Sequence, residues 1–141
     1  MSQSKRQLPA FLTSLAEALA KVGRADQGLA AVEEVLKRVE RTSQLWWMPE
    51  TLRIKGEVLL AVPGAEPTII ADYFRQSLEL ARRQGALAWE LRTVISLARS
   101  QRDRGRRLEA RDLLTAVYGR FTEGFATADL KAAKRLLDDL T

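Results

Sequence analysis

The sequence predicts an all-α fold: an α-α superhelix of about three helix hairpins, closed by a C-terminal capping helix. Three observations carry that expectation. Apolar residues recur at helical spacing almost throughout the 141 residues, as the 3.6-residue period of an amphipathic helix requires. Strand signals are nearly absent, because the one β-branched cluster, Thr68 to Ile70, runs straight into Ala71, Phe74, Leu78 and Ala81 at helical spacing. The pattern also repeats. Ala16, Gly56 and Ala98 open matching segments 40 and then 42 residues apart, and Trp47 and Trp89 are likewise 42 apart. A fixed period of this size marks a helical solenoid.

Seven helices follow, at about 8–22, 25–41, 44–61, 67–83, 87–103, 106–118 and 128–140. The first carries Leu12, Leu15, Ala16, Leu19 and Val22 in register and stops at Gly23-Arg24. The second stops at Thr42-Ser43. The third contains Gly56, and a mid-helix Gly costs about 1 kcal/mol relative to Ala. A close helix approach is the packing reason for it. Pro63 and Pro67 bracket the next turn, and Gly85 and Gly105 end the fourth and fifth helices, where Gly tolerates a left-handed turn. The sixth runs to Gly119. The seventh starts after Thr127, a good N-cap, with Asp129 near the positive helix end. Its Leu130, Ala133, Leu137 and Leu140 face inward, and Lys131, Lys134, Arg135, Asp138 and Asp139 stay wet, as a capping helix needs.

One register fits all units. Gly28, Ile70 and Ala110 align, followed four residues later by Val32, Phe74 and Leu114. The chain therefore reads as a single domain over 1–141, with repeats at about 8–42, 44–84 and 86–120 and a cap over 127–140. Leu12, Leu15, Leu19, Leu36, Leu52, Leu59, Leu78, Leu97 and Leu114 are the expected core.

Composition narrows the chemistry. Cys and His are absent, which removes thiol nucleophiles, disulfides, the commonest general base and the commonest metal ligands. Adjacent acids such as Glu33-Glu34 and Asp138-Asp139 point apart on a helix and make no acid–base pair. No enzyme activity, cofactor or metal is expected. The net charge of +5 is spread through interleaved charges of both signs, which reads as a solvated surface. Lys5 and Arg6 ahead of the stretch from Leu8 to Ala16 imitate an export signal, but Glu17 interrupts the run and the spacing is helical. No run reaches a membrane span. A bacterial-type cytoplasm is the expected location.

The small residue, large residue, Gly turn and Ala-rich second helix resemble the tetratricopeptide repeat, best between Leu52 and Ser77 with Gly56, Leu59 and Phe74 in place. The period here exceeds the usual length of about 34 residues. The runs Gly23-Arg24 to Ala30, Phe74 to Ala86 and Tyr118 to Phe125 resemble something narrower. They look like the C-terminal repeat region of bacterial regulators that join an adenylate/guanylate cyclase homology domain, or a DNA-binding effector domain, to a signalling ATPase. That resemblance implies a sensory or regulatory module that binds a protein or peptide, or the rest of a larger multidomain regulator. No G-x-x-x-x-G-K-[ST] loop occurs, so no nucleotide chemistry accompanies it.

The tetratricopeptide resemblance places a concave groove on the first helix of each hairpin. It expects Thr13, Glu17 and Lys21, then Glu50, Arg53 and Glu57, then Arg92, Arg99 and Arg102 to be exposed there, grading from acidic to basic. Such a groove suits an extended or helical peptide of mixed charge. The family's capture of a terminal carboxylate uses Asn and Lys, and this chain has no Asn. Phe11 and Trp46 are the expected interface anchors. Trp47 and Trp89, at equivalent places, are expected to pack between repeats. Two further readings stand beside the groove. Leu8, Phe11 and Leu12, with no polar cap before them, suggest a homodimer. The Arg-rich stretch, Arg99, Arg102, Arg104, Arg106, Arg107 and Arg111, suggests nucleic acid, although no aromatic interleaves it for base stacking.

Overall fold

The computed structural model describes the backbone of residues 2–42 and 45–141 and the side chains of residues 12–38 and 46–141. Among them lie seven α-helices and no strand: α1 (Ser2–Lys21), α2 (Ala25–Thr42), α3 (Met48–Leu60), α4 (Pro67–Gln84), α5 (Leu87–Asp103), α6 (Arg107–Tyr118) and α7 (Ala128–Leu140). The predicted all-helical architecture is therefore what the chain forms, with neighbouring helices packing in succession. Two starts differ from expectation. Helix α1 begins at Ser2, ahead of residue 8. The chain makes a 3-10 turn over Leu45–Trp47 before α3, and Pro49 then falls in the first turn of α3, where its missing N–H costs no bond.

Three of the turns are alike. Gly23, Gly85 and Gly105 all have positive φ. The residue after each donates its N–H back to a carbonyl five residues earlier: Arg24 to Leu19, Ala86 to Ala81 and Arg106 to Gln101. This is the Schellman closure, and it satisfies carbonyls that a helix end leaves orphaned.

The chain forms two compact units, residues 1–80 and 81–141, divided within α4. In the first, α1 packs on α2 and both pack on α3 around Ala16, Val32, Ile54 and Val58, with Ala20, Leu29 and Ala31 against them. Gly28 is where α2 meets α1: a Cβ there would lie 2.7 Å from the Ala16 carbonyl oxygen. Gly56 plays the same part between α3 and α4, since a Cβ on it would lie 2.5 Å from Phe74 Cε1. Phe74 is fully buried, a burial of about 1.5–3 kcal/mol. Ser77 Oγ ties the same two helices by donating to the Pro49 carbonyl at 2.6 Å.

In the second unit, α5, α6 and α7 pack on one another with Leu91, Val94, Ala98, Ala110, Leu114, Leu130, Ala133 and Leu140 buried. Thr127 caps α7, its side chain accepting from the Leu130 N–H. Leu136 joins the buried face, which the sequence reading left out. Of the expected core, Leu52, Leu78, Leu97 and Leu114 are buried, and Leu12, Leu19, Leu36 and Leu59 are partly so. Leu15 is the correction: it is 40 % exposed, because among residues 12–21 the side of α1 that carries Thr13 and Ala16 meets the core and Leu15 lies away from it.

Candidate binding cleft

The sequence-selected groove residues have three different fates. Thr13, Glu50 and Arg53, expected on an exposed face, are buried. Glu50 and Arg53 lie at i, i+3 on α3 and form an ion pair at 2.5 Å, with Glu17 of α1 at 3.9 Å from Arg53. Burial works against the Arg53 charge. The attraction and hydrogen bond of Glu50, then the attraction of Glu17 and Glu57, outweigh it and raise the guanidinium above its ordinary value. Removing one member of such a pair leaves an uncompensated buried charge, a loss of about 3–5 kcal/mol. Thr13 accepts from Trp47 Nε1 at 3.4 Å, which seats the indole of the 3-10 turn on α1. These groups hold α1 and α3 in register.

Glu17, Lys21 and Glu57 remain accessible and converge. Together with Ala20, Val58, Leu60 and Ala61 they line a cleft of about 290 Å³ between the C-terminal halves of α1 and α3. Its lining is mainly apolar and carries two carboxylates and one ammonium. Leu60, 49 % exposed, is part of that lining. Arg53 lies 3.9 Å from Glu17, so the buried pair stands beside one of the residues that line the cleft.

In the second unit Arg92 lies 3.4 Å from Asp129 of α7 and over the Trp89 ring, Arg99 is exposed, and Arg102 pairs with Asp139 at 2.9 Å and with Asp103. A hydrogen bond to Asp103 is the main influence raising Arg102 above its ordinary value. Arg107 donates to the Asp139 carbonyl, and Arg111 lies 3.6 Å from Asp112. Half of the Arg-rich stretch thus has acidic or carbonyl partners in its own unit.

Trp46 is 48 % exposed, its ring edge-on to Trp47 at 5.0 Å. The side chains of Leu8 and Phe11 lie outside the described residues.

Sequence reasoning missed two arrangements. Lys55 of α3 reaches Glu33 of α2 at 2.5 Å and stands over the Tyr73 ring. Its burial is outweighed by the hydrogen bonds of Glu33 and Tyr73, which raise its proton affinity. Glu90, buried in the first turn of α5, takes Arg120 through both oxygens at 2.8 and 2.9 Å and Arg82 at 3.3 Å. No spacing along the chain announces either, since the partners lie on different elements.

Among the described residues no helix is long and apolar enough to cross a membrane, and no group of three or more acids could hold a metal ion. No protein-family model matches the chain, and neither a curated protein nor a solved structure does.

Proposed function

We propose that this chain is a protein-interaction module, an α-solenoid of tetratricopeptide type that holds a segment of a partner protein in the cleft between α1 and α3 and works by binding alone. The observation that carries the reading is the cleft lining. Glu17, Lys21 and Glu57, three of the nine positions that the tetratricopeptide resemblance expects in the groove, line one cavity together with Ala20, Val58, Leu60 and Ala61. Apolar floors with a few placed charges are what peptide grooves use for affinity and orientation. The solenoid reading draws support from the nine register positions. Ala16, Gly56, Ala98, Gly28, Ile70, Ala110, Val32, Phe74 and Leu114 are all buried. The resemblance to the repeat region of ATPase-linked bacterial regulators adds a sensory or regulatory role in the cytoplasm. The lack of His and Cys favours binding over catalysis.

The test is selection of a displayed random-peptide library on the whole chain, followed by titration of the enriched peptides. Enriched peptides are expected to share an apolar anchor beside a charged residue. They are expected to bind at least about tenfold more weakly to Leu60→Glu and to Glu57→Lys, a loss of about 1.4 kcal/mol or more. No enrichment, or equal binding to both variants, defeats the reading.

A further inference from the structure

The charges that line the α1–α3 cleft do not balance. Two carboxylates against one ammonium leave one unit of negative charge, in a chain whose net charge is +5. The cations nearby are already placed. Lys21 follows Glu17 by four residues on α1, the spacing at which side chains of one helix are neighbours. Arg53 lies 2.5 Å from Glu50 and 3.9 Å from Glu17, and Glu57 attracts it less than either. Glu57 itself forms no ion pair among the described residues.

The place of Glu57 on α3 sharpens the imbalance. Helix α3 ends at Leu60, so Glu57 stands in its last turn, which carries no basic residue. A helix C-terminus carries roughly half an elementary negative charge and favours a cation there. Helix α1 follows that rule, with Lys21 in its last turn. Helix α3 breaks it with a carboxylate. Positions that break a local rule without compensation inside the chain are where functional sites are expected.

We propose that the cleft takes a lysine or arginine side chain of a partner segment, set beside an apolar one. The cation lies against Glu57 and the end of α3, and the apolar side chain against Ala20, Leu60 and Ala61. This occupant presupposes the binding role proposed for the cleft and adds the sign of the charge that it reads. Charge complementarity selects it. An acidic side chain would meet Glu17, Glu57 and the negative end of α3 together, with only Lys21 in its favour. A neutral one would take water from Glu57 and return no counter-charge, which is costly for a carboxylate. A cation offsets that loss through a charge-assisted hydrogen bond. A free cation would neutralise Glu57 but leave Leu60, 49 % exposed, uncovered. The cavity of about 290 Å³ lies at the foot of the ~300–1,000 Å³ range of ligand sites, room for one or two side chains of a peptide.

The test uses peptides enriched from a random display library on the whole chain, resynthesised with their cation replaced by glutamate and by norleucine. The net charge of +5 attracts acidic peptides from a distance, so enrichment of basic ones runs against the background. Enriched peptides are expected to carry Lys or Arg next to an apolar residue, and the glutamate analogue to bind at least about tenfold more weakly. Glu57→Gln is expected to weaken the cationic peptide at least about fivefold and to leave the norleucine analogue within about twofold. Glu57→Lys is expected to bind the glutamate analogue more tightly than the cationic parent, and Lys21→Gln to tighten the cationic parent. Leu60→Ser is expected to weaken all three peptides alike. Leu60 is half exposed and Glu57 is not part of the core, so helix content by circular dichroism is expected to stay at the wild-type level. Enrichment of acidic peptides overturns the inference while leaving the cleft as a binding site. So does a cationic peptide that Leu60→Ser weakens and Glu57→Gln does not. Enriched peptides that bind equally to Leu60→Ser and to every Glu57 variant defeat the cleft itself as the site, and the inference with it.

Discussion

At the residue scale the most informative position is Gly56. In an exposed helix interior, Gly→Ala adds about 1 kcal/mol of stability. Here the added methyl lands 2.5 Å from the Phe74 ring, and overpacking a filled core costs about 1–3 kcal/mol. The clash decides the sign. Gly56→Ala is expected to destabilise the chain by about 1–2 kcal/mol, net of the helix gain, read from urea unfolding midpoints. Phe74→Leu in the same chain is expected to remove most of that penalty, so the two effects are non-additive. Gly56 was legible as a close-approach site because a mid-helix Gly needs a packing reason. Leu15 was misread because periodicity shows that a helix has an apolar face but cannot choose between two. Thr13, Glu50 and Arg53 were misread for the complementary cause. A polar residue signals exposure until a partner at i+3 or on a neighbouring helix satisfies it inside, and only the Glu50–Arg53 spacing hinted at that.

At the scale of the element, helices were read well where their ends carry chemistry. The Gly closures at residues 23, 85 and 105 and the Thr127 cap lie where turn residues predicted them. The 3-10 turn before α3 carried no such mark, since Leu45-Trp46-Trp47 runs on into Met48 as one apolar stretch. Thr127 gives a direct check. Its hydroxyl is the acceptor for the Leu130 N–H, and Ala at that place removes the acceptor without touching the buried face of α7. Thr127→Ala is expected to lose about 1 kcal/mol, with Thr127→Ser close to wild type, as a thermal melt would show. An equal loss in both variants would shift the explanation from the cap to the methyl group.

For the whole molecule, charge makes the sharpest statement. A net +5 draws any polyanion at low salt, but Arg102, Arg107 and Arg111 are engaged with Asp139 and Asp112 in their own unit. Binding to a labelled DNA duplex is therefore expected to be independent of sequence and to vanish by about 150 mM salt, as counterion release predicts for a few phosphate contacts. Sub-micromolar, sequence-selective binding at that salt would instead bring the Arg-rich stretch forward as the working surface. Of the nine groove positions that the tetratricopeptide resemblance named, Glu17, Lys21 and Glu57 line this cleft and six do not. Its apolar residues Ala20, Val58, Leu60 and Ala61 emerged only when α1 and α3 were set side by side.

Glu90 has a consequence for how this chain tolerates genetic drift. One buried anion is shared by Arg82 at the end of α4 and Arg120 after α6. Either cation can be lost while the other still neutralises the carboxylate, so each arginine is backed up by its counterpart. The carboxylate has no such understudy. Without it, Arg82 and Arg120 lose the same anion at once. The three positions form a lopsided circuit with redundancy on the positive side and a single point of failure on the negative one, and random substitution should find the arginines forgiving and the glutamate not.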